Sequence, residues 1–205
     1  MFLQLIFLHG LGDSGHGWAS SIADIVPSYV KVICPTAPVQ PVTLNGGYAM
    51  NSWFDLLTLA PDGKEDQKGI LAACETVMQM VADEETKSGI PTKRIAIGGF
   101  SQGGGLAVHT GLRYPKPLAG VLALSAWLPL HKDYPAAASE VNKHIPMLQC
   151  HGDADVIVPF AWGSRSASLI SAFNPHHEFK TYPGMGHSSC NQVNPLSVMM
   201  IDGHF

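Results

Sequence analysis

Short runs rich in aliphatic and β-branched residues recur along this chain at residues 2–8, 30–34, 94–97, 120–124, 146–150 and 178–182, and five of the six are nearly free of polar interruptions. A strand with one wet face alternates polar and apolar positions. A strand buried on both faces does not, and that pattern marks a parallel sheet covered by helices. The stretches between the runs supply the helices. The clearest covers residues 66–87, where Ile70, Cys74, Val77 and Val81 share one face and Gly89, ahead of Ile90-Pro91, supplies a stop. Others are expected to start near Trp18, Gln102 and Phe160. Strands alternating with helices join by right-handed crossovers, which predicts an α/β fold: a mostly parallel sheet with helices on both faces. No repeat, low-complexity tract or linker interrupts the pattern, so the 205 residues read as one domain. Chemistry in such a fold gathers at the carboxyl ends of the strands.

After the run 94–97 comes Gly98-Gly99-Phe100-Ser101-Gln102-Gly103-Gly104, which contains G-x-S-x-G centred on Ser101. A sharp turn from strand to helix would hold Ser101 in a strained conformation costing about 1–3 kcal/mol, and would leave no room for side chains two positions to either side. Gly99 and Gly103 meet that demand. The alternative is a glycine-rich turn whose serine merely caps the helix. A serine hydroxyl becomes a useful nucleophile only when a base takes its proton and a carboxylate orients the base. With this turn the chain order is nucleophile, acid, histidine. Of the later aspartates Asp133, Asp153, Asp155 and Asp202, only Asp153 and Asp155 directly follow an expected strand, and the residues alone leave those two open. His187, in the glycine-rich turn Tyr182-Pro183-Gly184-Met185-Gly186-His187, is the expected base. His176 and His177 read as solvated loop residues, and His109 falls inside the helix after Ser101. An oxyanion site needs two backbone N–H groups, one following the nucleophile and one from an early loop. Gln102 supplies the first, and Leu11, between Gly10 and Gly12, is the candidate for the second.

Other chemistries fit less well. Gly10-Leu11-Gly12-Asp13-Ser14-Gly15 spells G-x-G-x-x-G after a strand, but residues 30–36 hold no acid to grip a ribose, and Asp13 would set a carboxylate beside the pyrophosphate. Gly12-Asp13-Ser14-Gly15 resembles a chymotrypsin-type nucleophile segment, yet only His9 precedes it. His151, Asp153, His176 and His177 lack a recognised metal spacing, so neither a metal nor a cofactor is expected. With 12 Lys and Arg against 16 Asp and Glu, the chain has no basic surplus for nucleic acid. Cys34, Cys74, Cys150 and Cys190 are spread too widely for a zinc or redox motif and read as thiols in a reducing, cytoplasmic setting. The apolar opening, residues 1–8, is too short for a membrane span and reads as a buried strand. No feature fixes an oligomeric state.

Assembled in order, the chain resembles the acyl-protein thioesterases, α/β-hydrolases related to small carboxylesterases and lysophospholipases. The resemblance runs from about residue 6 to 190. It is carried by FLHGLGDSGHGW from Phe7, PTAP from Pro35, PVTLN from Pro41, SWFDL from Ser52, GGFSQGG from Gly98, LSAWLPL from Leu124, QCHGDADVIVP from Gln149 and FKTYPGMGHSSC from Phe179. It implies an α/β-hydrolase fold and a catalytic triad of Ser101, Asp155 and His187, because the second aspartate of G-D-x-D-x-x-V-P is the family's acid. It supports Leu11 and Gln102 as oxyanion donors and places Trp53 and Trp127 near an apolar acyl site, which Leu44, Leu56, Leu128 and Met185 would help to line. The implied substrates are S-acylated proteins, with transient contact at membrane surfaces. A lysophospholipase or general carboxylesterase is the enzymatic alternative, and a binding protein with impaired catalysis is the alternative of another class. The family commonly has extra residues before FLHGLGD and a charged amphipathic helix after the position of Cys190. This chain instead leads from Met1 straight into the first strand and runs from Asn191 through Pro195 to Phe205, so a truncated or replaced last helix, with an exposed apolar strip, is expected.

Overall fold

The computed structural model describes residues 3–60 and 62–189. Expectations that concern Cys190, Asp202 and the segment after them lie outside the described residues. Six strands, β1 (Leu3–Leu8), β2 (Val30–Ile33), β5 (Ile95–Phe100), β6 (Gly120–Leu124), β7 (Met147–Gly152) and β8 (His177–Tyr182), form one parallel sheet in the order β2-β1-β5-β6-β7-β8. The register pairs Ile6 with Ile97 and Ile97 with Val121, so β5 lies between β1 and β6 in the middle of the sheet.

Near-continuous apolar strands arise because each strand feeds two cores. Leu5 and Phe7 of β1 pack with Leu122, Leu124 and Leu148 and with Trp18 and Ile22 of α1 (Gly15–Ala23) on one face. Ile6 and Leu8 point the other way, into a core shared with Ile97 and Val121 and with the helices α2 (Gln67–Ser88), α3 (Gln102–Arg113) and α4 (Phe160–Ser171). A period of two on a doubly covered sheet thus erases polar alternation from the sequence. The start of α2 is set by Asp66, whose carboxylate accepts the Gly69 amide at 3.0 Å, and its end by Gly89 in the left-handed region at φ 65°.

The sequence did not disclose a second, two-stranded antiparallel sheet, β3 (Val39–Val42) with β4 (Tyr48–Asn51). Its strands are short, largely exposed and carry Pro41, tolerated because an isolated hairpin has outer edges where no N–H is needed. The tip, a helical turn over Thr43–Asn45 closed by Gly46 and Gly47 at positive φ, hangs Leu44 and Asn45 over the carboxyl ends of the main strands. The other misplacement is His177, which opens β8 half-buried, with Nδ1 2.8 Å from the Ser171 hydroxyl, rather than standing in a solvated loop; burial pushes it down to about 4.

His109 in α3 is fully buried against the Tyr134 hydroxyl, 2.9 Å from Nδ1, and burial likewise lowers it from 6.5 to about 4. Burial also lowers His9 and His151. These rings are neutral when folded, while the unfolded chain takes up protons below about pH 6.5. Stability is therefore fully present above that pH and is lost as the pH falls from about 6.5 towards 4. Urea denaturation at stepped pH should show this decline, and His109→Asn, which does not titrate, should make it shallower.

Candidate active site

The turn from β5 into α3 is built on two close backbone approaches. A Cβ on Gly99 would lie 2.4 Å from the Gly103 carbonyl, and one on Gly103 would lie 2.2 Å from the Leu8 carbonyl oxygen. Only hydrogen fits at either place. The turn leaves Ser101 at φ 53° and ψ −119°, a conformation that favours glycine, with its amide donating to the Leu124 carbonyl at 2.8 Å. Gln102 opens α3, so its N–H has no partner within the helix.

Asp155 and His187 meet 32 residues apart. The Asp155 side chain is fully buried; its Oδ1 accepts the Ile157 and Val158 amides, both at 2.9 Å, and its Oδ2 accepts from His187 Nδ1 at 2.8 Å. Asp153 is exposed and does something else: its Oδ1 accepts the Gly184 amide at 2.7 Å, fixing the turn that delivers His187. The His187 ring packs at 4.7 Å on Phe100, the neighbour of Ser101. Ser101 and His187 border one cleft of about 410 Å³, with no hydrogen bond closed between them. Leu11 and Gln102 border it too.

The apolar wall of the cleft includes Leu44, Leu56 and Trp127. Trp53, Leu128 and Met185 do not line it. Trp53 lies beneath the loop after β1, because its buried indole N–H needs an acceptor and finds the His9 carbonyl at 2.9 Å. Leu128 is fully enclosed in the core, and the Met185 carbonyl binds the Ala154 amide at 3.1 Å, behind the acid. In their place stand Leu59, Phe100, Ile157 and Val158. The last two were legible as the apolar run Val156-Ile157-Val158 directly after the acid.

The Gln102 side chain has a part that spacing could not reveal. Its Oε1 accepts the Trp53 amide at 3.0 Å and its Nε2 donates to the Phe54 carbonyl at 2.8 Å and to Ser52 Oγ at 3.0 Å. His9 extends this scaffold: Nε2 accepts the Ala37 amide at 3.0 Å, leaving Nδ1 to donate to the Gly10 carbonyl. The loop carrying Leu11 is thus tied to segments 36–38 and 52–54 and to the start of α3. Among the described residues no three His, Cys, Asp or Glu side chains gather as a metal site, no disulfide forms, and no helix is long and apolar enough to cross a membrane.

Residues 3–197 match the model of the phospholipase/carboxylesterase family. The chain is 42% identical over 214 residues to acyl-protein thioesterase 1 of Mycosarcoma maydis, covering 96% of this chain and 89% of that protein. It is 40% identical to the acyl-protein thioesterase 1 of Neurospora crassa, over 91% and 80% of the two. Among solved structures, Arabidopsis thaliana SOBER1 superposes with a TM-score of 0.91 at 32% identity, covering 100% and 99% of the chains. Zea mays acyl-protein thioesterase 2 does so with 0.87 at 29%, covering 99% and 94%.

The backbone at Ser101 sets stability against the presence of a hydroxyl in the cleft. Ser101→Gly removes a Cβ held at a strained φ and ψ, and should raise the free energy of unfolding by about 1–2 kcal/mol, read as a higher urea midpoint at unchanged slope, while removing the hydroxyl from the cleft.

Proposed function

This chain belongs to the phospholipase/carboxylesterase family, and from that premise we propose that it hydrolyses long-chain acyl thioesters on S-acylated protein cysteines, with Ser101, Asp155 and His187 as its catalytic triad. The observation that carries this is the 2.8 Å hydrogen bond from half-buried His187 to buried Asp155, with His187 bordering the same apolar cleft as a serine in a strained strand-to-helix turn. With its Nδ1 proton held by Asp155, the His187 ring presents Nε2 as the base. The Ser101 hydroxyl swings to it as substrate enters, a contact that commonly tightens only in the complex. Ser101 Oγ attacks the thioester carbonyl carbon as His187 takes its proton, and the carbonyl oxygen gathers negative charge at the N–H groups of Leu11 and Gln102. The C–S bond then breaks and the cysteine thiol leaves with the proton from His187. Water, deprotonated by the same ring, attacks the acyl-enzyme and releases the fatty acid, restoring the serine.

Leaving-group chemistry favours this substrate class. A thiol with a pKa near 8.5 departs far more readily than an amide nitrogen, so thioesters and oxygen esters suit this machinery and peptides do not. The cleft is within the usual range for a small-molecule site. Each methylene buried against Leu56, Leu59 and Trp127 adds about 0.8 kcal/mol, so half of a sixteen-carbon chain would supply about 6 kcal/mol. Leu44 and Ile157 at its mouth, with Val156 beside them, are exposed apolar groups suited to transient contact with the lipid surface from which an acyl chain is drawn. The proposal sets the reaction in the cytoplasm, the compartment expected from the cysteine spacing.

A fluorophosphonate probe should label the protein at one site, and Ser101→Ala should abolish labelling; persistent labelling of that variant overturns Ser101 as nucleophile. Asp155→Asn is expected to lower kcat about 10³- to 10⁴-fold, since it leaves the imidazole in the wrong tautomer. The kcat/KM for a palmitoyl-cysteine peptide should exceed that for a lysophospholipid, and the reverse ranking would reassign the substrate.

A further inference from the structure

A second histidine lies against the acid. His151, at the carboxyl end of β7, is fully buried, and its Nε2 is 2.9 Å from the Val158 carbonyl oxygen and 3.4 Å from Asp155 Oδ2. A carbonyl can only accept, so Nε2 carries the proton and Nδ1 is bare. Nδ1 has no hydrogen-bond partner among the described residues. It faces Gly163 of α4, where a Cβ would come within 2.3 Å of it, while Phe160 of the same helix meets the ring edge-on at 6.0 Å. The ring is thus locked in one orientation and one tautomer. A second proton on Nδ1 would be buried without an acceptor, and burial indeed holds this imidazole below its ordinary value. Asp155 and His187 are the ionisable groups that bear on it.

Val158 joins the two sides of this arrangement. Its N–H donates to Asp155 Oδ1 and its C=O accepts from His151, so one residue is held between the acid and the second imidazole. We propose that His151 is a positioning residue for the reaction: through the Val158 carbonyl it fixes the turn 155–158, and with it the direction in which Asp155 presents Oδ2 to His187. The proposal rests on the reading of Asp155 and His187 as acid and base. Without the His151 donor the Val158 carbonyl is buried and unsatisfied, the turn relaxes to find another partner, and the amides on Oδ1 move with it. The His187 imidazolium that forms in each transition state then loses part of its stabilisation.

The test uses His151→Phe, His151→Asn and His151→Gln, each alone and combined with Asp155→Asn, with kcat and KM for a palmitoyl-cysteine peptide measured across the pH range and folding checked by urea denaturation. His151→Phe keeps a flat ring but has no donor, and should lower kcat about 10- to 100-fold with KM within about twofold. The acid limb of kcat/KM should move to lower pH, because a less stabilised imidazolium loses its proton more readily. His151→Asn, too short to reach the Val158 carbonyl, should behave alike, so the test holds even where the phenylalanine variant does not fold. His151→Gln, whose amide N–H reaches that carbonyl, should restore most of kcat. In Asp155→Asn, which has already lost the oriented carboxylate, His151→Phe should cost less than about twofold more, as expected of residues acting through one path. Native kcat and acid limb in folded His151→Phe and His151→Asn, or an equal loss with and without Asp155→Asn, overturns the proposal alone. A fully active Asp155→Asn overturns the acid's assignment and the proposal together.

Discussion

The close passage of backbone at the end of β5 governs the rest of the molecule. Where α3 leaves the middle strand, Gly99 lies on the Gly103 carbonyl and Gly103 on that of Leu8. A single added methyl at either position would force strand and helix apart. Because β5 sits between β1 and β6, that separation would run through both cores. The same approach lifts Ser101 above the sheet, places the free N–H of Gln102 at the start of a helix, and sets both beside the loop that follows β1. Strain at one residue is thus tolerated because the packing of three strands over-determines the turn.

The second half of the site is made differently. Asp155 is enclosed by its own loop, taking two amides from residues two and three positions on, and its remaining oxygen faces the turn from which His187 descends. That turn is held from below by Asp153 on the Gly184 amide and by the Met185 carbonyl on the Ala154 amide. Two neighbouring aspartates therefore divide the work: the exposed one shapes the turn and the buried one faces the imidazole. Burial separates them. A carboxylate enclosed in a core persists only where donors are provided, and the loop after β7 supplies them at position 155.

Much of the fold was legible because it depends on local pattern. Uninterrupted apolar runs, the spacing of Ile70, Cys74, Val77 and Val81, and Gly89 as a stop marked the strands of the parallel sheet and its longest helix to within a residue or two, except that β5 runs three residues past the expected end, through Gly98 and Gly99 to Phe100. The hairpin over residues 39–51 carries no such pattern, since it borders on solvent and buries little, and with it went the reason that Leu44 overhangs the cleft. Trp53 shows the converse error. A tryptophan in an apolar motif suggests a greasy wall, but its indole N–H sought the His9 carbonyl and drew the ring into a scaffold below. Gln102 was noted for its backbone alone, whereas its amide side chain ties residues 52–54 to the start of α3.

What the sequence determined by itself is whatever steric necessity writes at fixed spacing: glycines where backbones touch, apolar residues where strands are buried twice, a serine at the centre of the turn. What only the tertiary structure decided is which polar atoms meet across long separations. The residues alone left Asp153 and Asp155 open, and the family resemblance favoured one; the separate jobs of the two carboxylates, the displacement of Trp53, Leu128 and Met185 from the cleft wall, and the lodging of His151 between Val158 and Gly163 all follow from three-dimensional packing. A hydrogen bond between residues 32 positions apart leaves no periodic trace in a sequence, because its geometry is fixed by the strands and helices that carry the partners and not by the partners themselves.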